Sequence, residues 1–600
     1  MPVCHSLGVE RTLDLRFRGS IPATLCAAFA EVAYSCRAPF NEVVTRLSVP
    51  HASNLVWWVQ GPPSRNTYAS PFFHNFCCIH FVRYLVDEHR LEFQGILVDS
   101  PAVKGILSSL LAAAGIRDCR VRVHGDLRSF AQGIKIRWLS LPFHLVRRVL
   151  QYCLARSTRR SNRASLPTRP VVLIDTFVTA AYATNDRWYG QFWSHLGEDL
   201  KAEARFIPTF VETPLSRQRA TCTALRNGPR NVLIKDDFLE LSDLAGAFLL
   251  RRRTRILRIA RVEACGFELS ALVREELETT RDIPTLIESI LTYRFVRRLR
   301  QRGVQVRLAI DWFEGQVIDK AWNLAFRDYY PEAKRIGYRA FESFPLYLCS
   351  YPIPIERASG VLPDVMAVQG MGTIATVREF LPDLEVIVIP SFKAPYVWEV
   401  DLARRMPASV FTVLVALPIS IDSGVRIVAK LLDIHDAVPP GWRPVRYVIK
   451  PHPTVPAERI TRRLGRGMPG DMAFTSESSF GRLLSESNLL VTEASSTCLE
   501  ALASGVPVII IGNETGLTYD PVPAAIPPAM FRRVRSSPDL VEAIAHFATL
   551  TEDAIDEQRA HSKKIRADYF EPITTDGVRR FMDVEKTHGK DARGMMAHAL

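Results

Sequence analysis

Short apolar runs alternate with amphipathic stretches along most of this chain, beginning near residue 50. Gly95-Ile96-Leu97-Val98-Asp99, Val171-Val172-Leu173-Ile174-Asp175 and the stretch from Val304 to Ile310 each read as a strand. So do Val365–Val368, Val386–Ile389, Phe411–Ala416, Tyr447–Ile449, Met472–Thr475, Leu489–Thr492 and Val506–Ile511. Runs of this length, apolar on both faces and separated by helical patterns, predict parallel strands buried between layers of helix. Leu55–Val59 is read as a further strand entering a turn at Gly61–Asn66, and Phe76–Glu88 as a helix. Between Leu200 and Arg300 the two patterns mix and define no series.

The alternation falls into two series separated by a connector near Ala394–Ala408. This predicts an α/β protein of two Rossmann-like, doubly wound domains facing a central cleft. The expected divisions are an N-terminal extension at 1–45 and a first domain at 46–395 with helical insertions. A second domain follows at 405–555, then a crossover helix at 556–585 and a loose tail at 586–600. Six hundred residues exceed what one core holds, in keeping with this division.

Composition narrows the class. With 47% apolar and 23% charged residues the chain is globular, and no run is long enough to span a membrane. The start, MPVCHSLGVERTLDL, lacks a signal-sequence pattern, and eleven cysteines show no metal-type spacing. Reduced thiols in a cytoplasmic protein are expected. The net charge of +13 (76 basic minus 63 acidic) concentrates in three helix-like stretches, His144–Arg160, Leu249–Arg261 and Arg294–Arg302. In the first, Leu145, Val146, Val149, Leu150, Cys153 and Leu154 are read as one face, with Arg147, Arg148 and Arg156 elsewhere. Such a helix suits an anionic membrane surface, or is simply a solvated helix of a basic protein. No nucleic-acid module is visible, so nucleic acid is not an expected partner.

The richest chemistry lies late in the chain. Tyr447–Ile449 leads into Lys450-Pro451-His452-Pro453, and Leu489–Thr492 leads into Glu493-Ala494-Ser495-Ser496-Thr497, with Glu500 one turn on. In open α/β sheets ligands bind beyond the carboxyl ends of strands, and a helix start there offers unpaired N–H groups to a phosphate. His452, Ser495, Ser496 and Thr497 are therefore candidates for a nucleotide phosphate, with Lys450 adding charge and Glu500 within reach of a ribose. Thr497 and Glu500 also stand at capping-box spacing, and His452 between two prolines would serve equally as a structural histidine.

These motifs resemble the two-domain GT-B glycosyltransferases, and in particular bacterial enzymes of capsule, lipopolysaccharide and teichoic-acid assembly that use CMP- or CDP-activated donors. There a His-Pro motif and a Ser-Ser motif bind the donor nucleotide; the matching positions are His452-Pro453 and Ser495-Ser496. The likeness covers roughly Val365–Ile511. Glu493 and Glu500 are separated by six residues, whereas retaining members have seven between their paired glutamates. The inverting outcome is therefore expected. Trp57-Trp58, Ser64-Arg65-Asn66, Ser70-Pro71-Phe72-Phe73 and the block Asp311–Asn323 resemble proteins of surface-carbohydrate biosynthesis, which implies an acceptor-side domain.

Sugar transfer needs a base for the acceptor hydroxyl. Asp311 and Glu314 follow an apolar strand among Trp312, Phe313 and Trp322, aromatics able to stack on a sugar. The alternatives are that Asp311 caps the next turn and that Glu314 pairs with Lys320 or Arg327. Asp175, Asp186 and Arg187 are further candidates for acceptor contacts. No Asp-x-Asp pair stands in a suitable loop, so neither metal nor cofactor is expected beyond the nucleotide-sugar co-substrate. The expected function is an inverting, metal-independent transferase acting on a surface polysaccharide or lipid-linked glycan, peripheral on the cytoplasmic membrane. A sugar-nucleotide 2-epimerase of the same architecture and a non-catalytic assembly scaffold are the alternatives.

Overall fold

The computed structural model describes residues 12–17, 19–124, 141–159, 167, 169–178, 190–211, 213–254, 257–279, 283–402, 409–435, 444–477, 479–493, 495–513, 517 and 519–582. The predicted tail and the candidates Asp186 and Arg187 lie outside them. Three parallel sheets organise the chain.

The first has β1 (Thr12–Asp14), β2 (Gly95–Val98) and β3 (Arg120–Val123) in that order. Thr12 pairs with Gly95, so residues 12–124 form one unit across position 45, where an extension was expected to end. Phe29, Phe40, Trp57, Trp58, Phe72, Phe76 and Phe81 fill its core. The expected strand at Leu55–Val59 is instead a helix, Leu55–Trp58. An apolar run this short does not separate strand from helix by its period. The cap decides it: the Asn54 side chain accepts the Val56 N–H at 3.0 Å.

The second sheet contains β4 (Val171–Val178) and β5 (Ala204–Phe210). After a small hairpin of β6 (Glu263–Ala264) and β7 (Phe267–Glu268) come β8 (Val306–Trp312), β9 (Lys334–Arg339), β10 (Val365–Val368) and β11 (Val386–Val388). Its order is β11-β10-β9-β8-β4-β5, all parallel. The third contains β12 (Phe411–Ala416), β13 (Val445–Lys450), β14 (Met472–Phe474), β15 (Leu489–Thr492), β16 (Val508–Ile511) and β17 (Phe531–Val534). These run in the order β14-β13-β12-β15-β16-β17, again all parallel. Both six-stranded sheets are therefore doubly wound and Rossmann-like. Their connections reverse direction between β4 and β8 in one and between β12 and β15 in the other. A crevice opens at such reversals, beyond the carboxyl ends of the strands.

The basic stretches are partly absorbed into the framework. Arg294, Arg297 and Arg298, on the helix Ile283–Gln301, converge on buried Asp243 at 3.3, 3.0 and 2.8 Å. Arg148 reaches Asp236 at 2.7 Å. The helix Leu241–Thr254 takes in the start of the second stretch, and residues 257–261 are not helical. On the helix Leu141–Ser157 the predicted single face divides. Leu145 and Val149 pack inward with Tyr152, while Val146, Leu150 and Cys153 are exposed, as is Phe143.

At the far end, the expected crossover helix is two helices, Glu552–Tyr569 and Thr575–Met582. Between them the Glu571 N–H donates to the Gln369 carbonyl at 2.6 Å, and the Ser391 N–H to the Glu571 carbonyl at 2.9 Å. Gly370 permits this approach, since a Cβ there would lie 2.3 Å from the Tyr569 backbone. Val578, Phe581 and Met582 then join Phe192, Tyr338 and Phe392 in the core of the second sheet.

Candidate functional site

At the third sheet's crevice, His452 follows β13 and the Ser495-Ser496 pair follows β15. The Thr454 N–H donates to His452 Nδ1 at 3.3 Å, which puts the ring proton of the neutral imidazole on Nε2. Burial, and secondarily Lys393, lowers the imidazole pKa below its ordinary value. His452 is therefore a neutral N–H donor at pH 7. Ser495 Oγ lies 2.7 Å from Thr497 Oγ1 and accepts the Thr497 N–H at 3.3 Å, fixing the turn.

One residue links these pieces, and sequence reasoning missed it. Lys393, in the segment after β11, donates from Nζ to Ser496 Oγ at 2.9 Å and lies 3.6 Å from the Glu500 carboxylate. Tyr396 of the same segment donates its hydroxyl to the other Glu500 oxygen. Glu500 is thus held by the connector and closes no capping box with Thr497: the helix Thr497–Ala503 has no side-chain cap. Nothing in the pattern Ser391-Phe392-Lys393-Ala394-Pro395-Tyr396 distinguishes this lysine from a solvated one. Lys450, the lysine singled out for phosphate charge, donates instead to the Glu477 carbonyl.

On the second sheet, β8 ends at Trp312 and the chain turns through Glu314 and Gly315 into the helix Val317–Tyr329. Gly315 has φ +76°, and a Cβ there would meet the Cys349 carbonyl oxygen at 1.8 Å, so only glycine makes this turn. Half-buried Glu314 accepts from Trp312 Nε1 at 3.2 Å and from Gln316 Nε2 at 2.6 Å. It pairs with neither Lys320 nor Arg327, which are engaged by Glu356 and Asp328. Asp319, not Asp311, caps the helix, accepting the Glu314 and Gln316 N–H groups at 2.9 Å each.

Three expected contacts lie behind this surface. Asp311 is 1% exposed and held by Asn323 Nδ2 at 3.1 Å; burial, then Asp319 and Asp175, push its pKa well up. Asp175 accepts from Thr209 Oγ1 at 3.0 Å, and burial, opposed by Lys235, raises it to about 6. Trp322 is 1% exposed in the core beneath the second sheet, so it is not a sugar platform as expected. Trp312, also buried, acts on the site through its bond to Glu314.

A group of tyrosines that the pattern did not single out joins the first unit to both large domains. The rings of Tyr68 and Tyr519 stack with centroids 4.1 Å apart, and Tyr347 lies 5.1 Å from Tyr68. The Tyr519 hydroxyl donates to the Thr67 carbonyl at 3.2 Å, joining the first unit to the third sheet's domain. The Tyr68 phenol is pushed up by desolvation, then by Tyr519 and Glu493. The Tyr347 phenol is raised by desolvation, Cys349 and Glu314. Glu314 thus bears electrostatically on Tyr347, and Glu493, just past β15, on Tyr68. Among the described residues no cluster of His, Cys, Asp and Glu is gathered to hold a metal ion, and no helix is long and apolar enough to cross a membrane.

No protein-family model and no curated protein matches the chain. Among solved structures it is similar to the glycosyltransferase of kitacinnamycin, with 12% identity, a TM-score of 0.39, and coverage of 69% of this chain and 98% of that one. It is also similar to a UDP-forming α,α-trehalose-phosphate synthase from Burkholderia xenovorans, with 12% identity, a TM-score of 0.39, and coverage of 69% and 98%. The calicheamicin glycosyltransferase gives 11% identity, a TM-score of 0.38, and coverage of 69% and 97%. Scores and identities at this level mark a loose likeness, and a functional reading has to come from the site.

Proposed function

We propose that this protein is a glycosyltransferase of the two-domain GT-B kind, moving a sugar from a nucleotide donor to a glycan or lipid-linked acceptor with inversion. The observation that carries the reading is the bond from Lys393 to Ser496 at the end of β15, with Lys393 also within electrostatic reach of His452 at the end of β13. A neutral N–H donor, a hydroxyl and an ammonium group of this kind make a donor set suited to a phosphate. Ser495 and Thr497 shape the turn, and Glu500 holds Tyr396 and faces Lys393 behind it.

On the facing side Glu314 is the proposed general base. It is half-buried, and Trp312 and Gln316 aim it. In the reaction Glu314 takes the acceptor hydroxyl proton as that oxygen bonds to the sugar's anomeric carbon. The bond from this carbon to the phosphate oxygen breaks, and the departing electron pair is stabilised by fixed donors on the nucleotide side. No metal is required, and a CMP-linked donor is favoured. The exposed Phe143, Val146 and Leu150 would rest this domain on the cytoplasmic face of an anionic membrane, near a lipid-linked acceptor.

The test is to incubate purified protein with CMP-, UDP- and GDP-sugars, with and without a glycan and lipid-linked acceptor panel. Acceptor-dependent nucleotide release is expected. Conversion of the nucleotide sugar without acceptor would make the protein an epimerase, and binding without turnover would make it a scaffold.

A further inference from the structure

We propose that Lys393, carried by the connector between the two Rossmann-like domains, is the residue that reads the phosphate charge of the donor. The proposal rests on the nucleotide-binding reading above and specifies how that site recognises its ligand. His452 contributes a neutral N–H and the two serines contribute hydroxyls, so the motifs themselves bring no positive charge to an anion. Lys450 is turned to the Glu477 carbonyl. Arg426 bonds Ser423 at 2.9 Å and faces Glu493 at 3.7 Å. Lys393 alone among these three cations touches the Ser-Ser motif.

Its setting fits a displaceable contact. Glu500 is only 5% exposed, yet its carboxylate already has the Tyr396 hydroxyl, so it does not depend on Lys393 for a partner. The Lys393–Glu500 separation of 3.6 Å is loose beside the 2.9 Å contact to Ser496. An ammonium has three protons to give, so Nζ can keep Ser496 and add a phosphate oxygen. The backbone bearing it is anchored. Tyr396 packs so closely on Gly481 that a Cβ there would lie 2.7 Å from the tyrosine side chain. The Ser391 N–H is tied to Glu571 at 2.9 Å. A phosphate bound here therefore joins the donor domain to the connector and, through it, to the crossover segment.

The experiment compares binding of cytidine, CMP, CDP and UDP to the full chain and to Lys393→Met and Lys393→Arg by calorimetric titration. Loss of one charge-assisted hydrogen bond predicts affinities for CMP, CDP and UDP about 10- to 100-fold weaker in Lys393→Met. Cytidine affinity is expected to stay within about twofold, and Lys393→Arg to recover most of the loss. Equal weakening of cytidine and the phosphorylated ligands would overturn the proposal in favour of a structural role. If the unaltered protein binds nucleotides and Lys393→Met binds them as tightly, the proposal alone falls. If the unaltered protein binds no nucleotide, the glycosyltransferase reading falls and the proposal goes with it. Unfolding midpoints of the variants, matched to the unaltered chain, show that a loss is not one of folding.

Discussion

Glu314 is held by two neutral donors rather than by a cation, which keeps its carboxylate aimed without neutralising it. Glu314→Gln preserves size and both neighbours while removing the basic oxygen. Donor binding is expected to persist, and turnover to fall by about 10²–10⁴-fold in a steady-state transfer assay. Unaltered turnover would remove the assigned base. His452 carries a pH signature of its own. Burial and Lys393 set its folded pKa below the ordinary 6.5, so the folded state favours the neutral ring. On acidification the unfolded chain takes this proton first. Stability from this residue is thus retained above about pH 6.5, declines as pH falls through that value, and stops declining below the lowered folded pKa. Between pH 8 and 5 the unfolding midpoint of the unaltered protein should therefore drop further than that of His452→Gln; equal drops would mean that the ring is not held neutral. The places of the motif residues at strand ends were legible because they immediately follow apolar runs. The contacts of Lys393 and Tyr396 were not, because they come from a connector folding back against a strand end more than 100 residues away in sequence.

At the scale of elements, the turn after β8 is secured by a buried ion group. Arg65 meets Glu356 at 2.7 Å and Lys320 meets it at 2.8 Å, with all three side chains at most 1% exposed. The group ties the end of the helix Gly61–Ser64, where a turn was expected, to the helix behind Glu314. Removing one partner strands buried charge, so Glu356→Ala is expected to lower the unfolding free energy by about 3–5 kcal/mol. A chemical-denaturation loss under about 1 kcal/mol, the scale of an exposed pair, would contradict that view. The parallel strands of the two large sheets were legible because burial on both faces leaves long β-branched runs. Leu55–Trp58 was misread because its four residues are apolar throughout, and the deciding signal was the single side chain of Asn54. The first sheet's pairing of Thr12–Asp14 with Gly95–Val98 joins segments about 80 residues apart, which no local pattern announces.

At the scale of the molecule, two doubly wound domains, a smaller α/β unit and a returning C-terminal segment make up the described chain, and Tyr68, Tyr347 and Tyr519 meet where the first three adjoin. Four arginines of the basic stretches, Arg148, Arg294, Arg297 and Arg298, are engaged by Asp236 and Asp243, so membrane contact would depend on a smaller surface than composition implied. Phe143→Asp combined with Val146→Asp is expected to lower co-sedimentation with phosphatidylserine-containing vesicles severalfold, without changing binding of soluble nucleotides. Vesicle binding equal to that of the unaltered chain would exclude this helix as the contact.

The most direct test is thermal unfolding of the intact protein and of a His452→Ala, Ser496→Ala double variant with CMP, CDP, UDP and GDP. A ligand that binds the folded state raises the midpoint. At least one nucleotide should raise it for the intact protein, with the rise abolished in the double variant. An unmoved midpoint at millimolar concentrations of all four, or an undiminished rise in the variant, would show that the imidazole and hydroxyl do not form a nucleotide site.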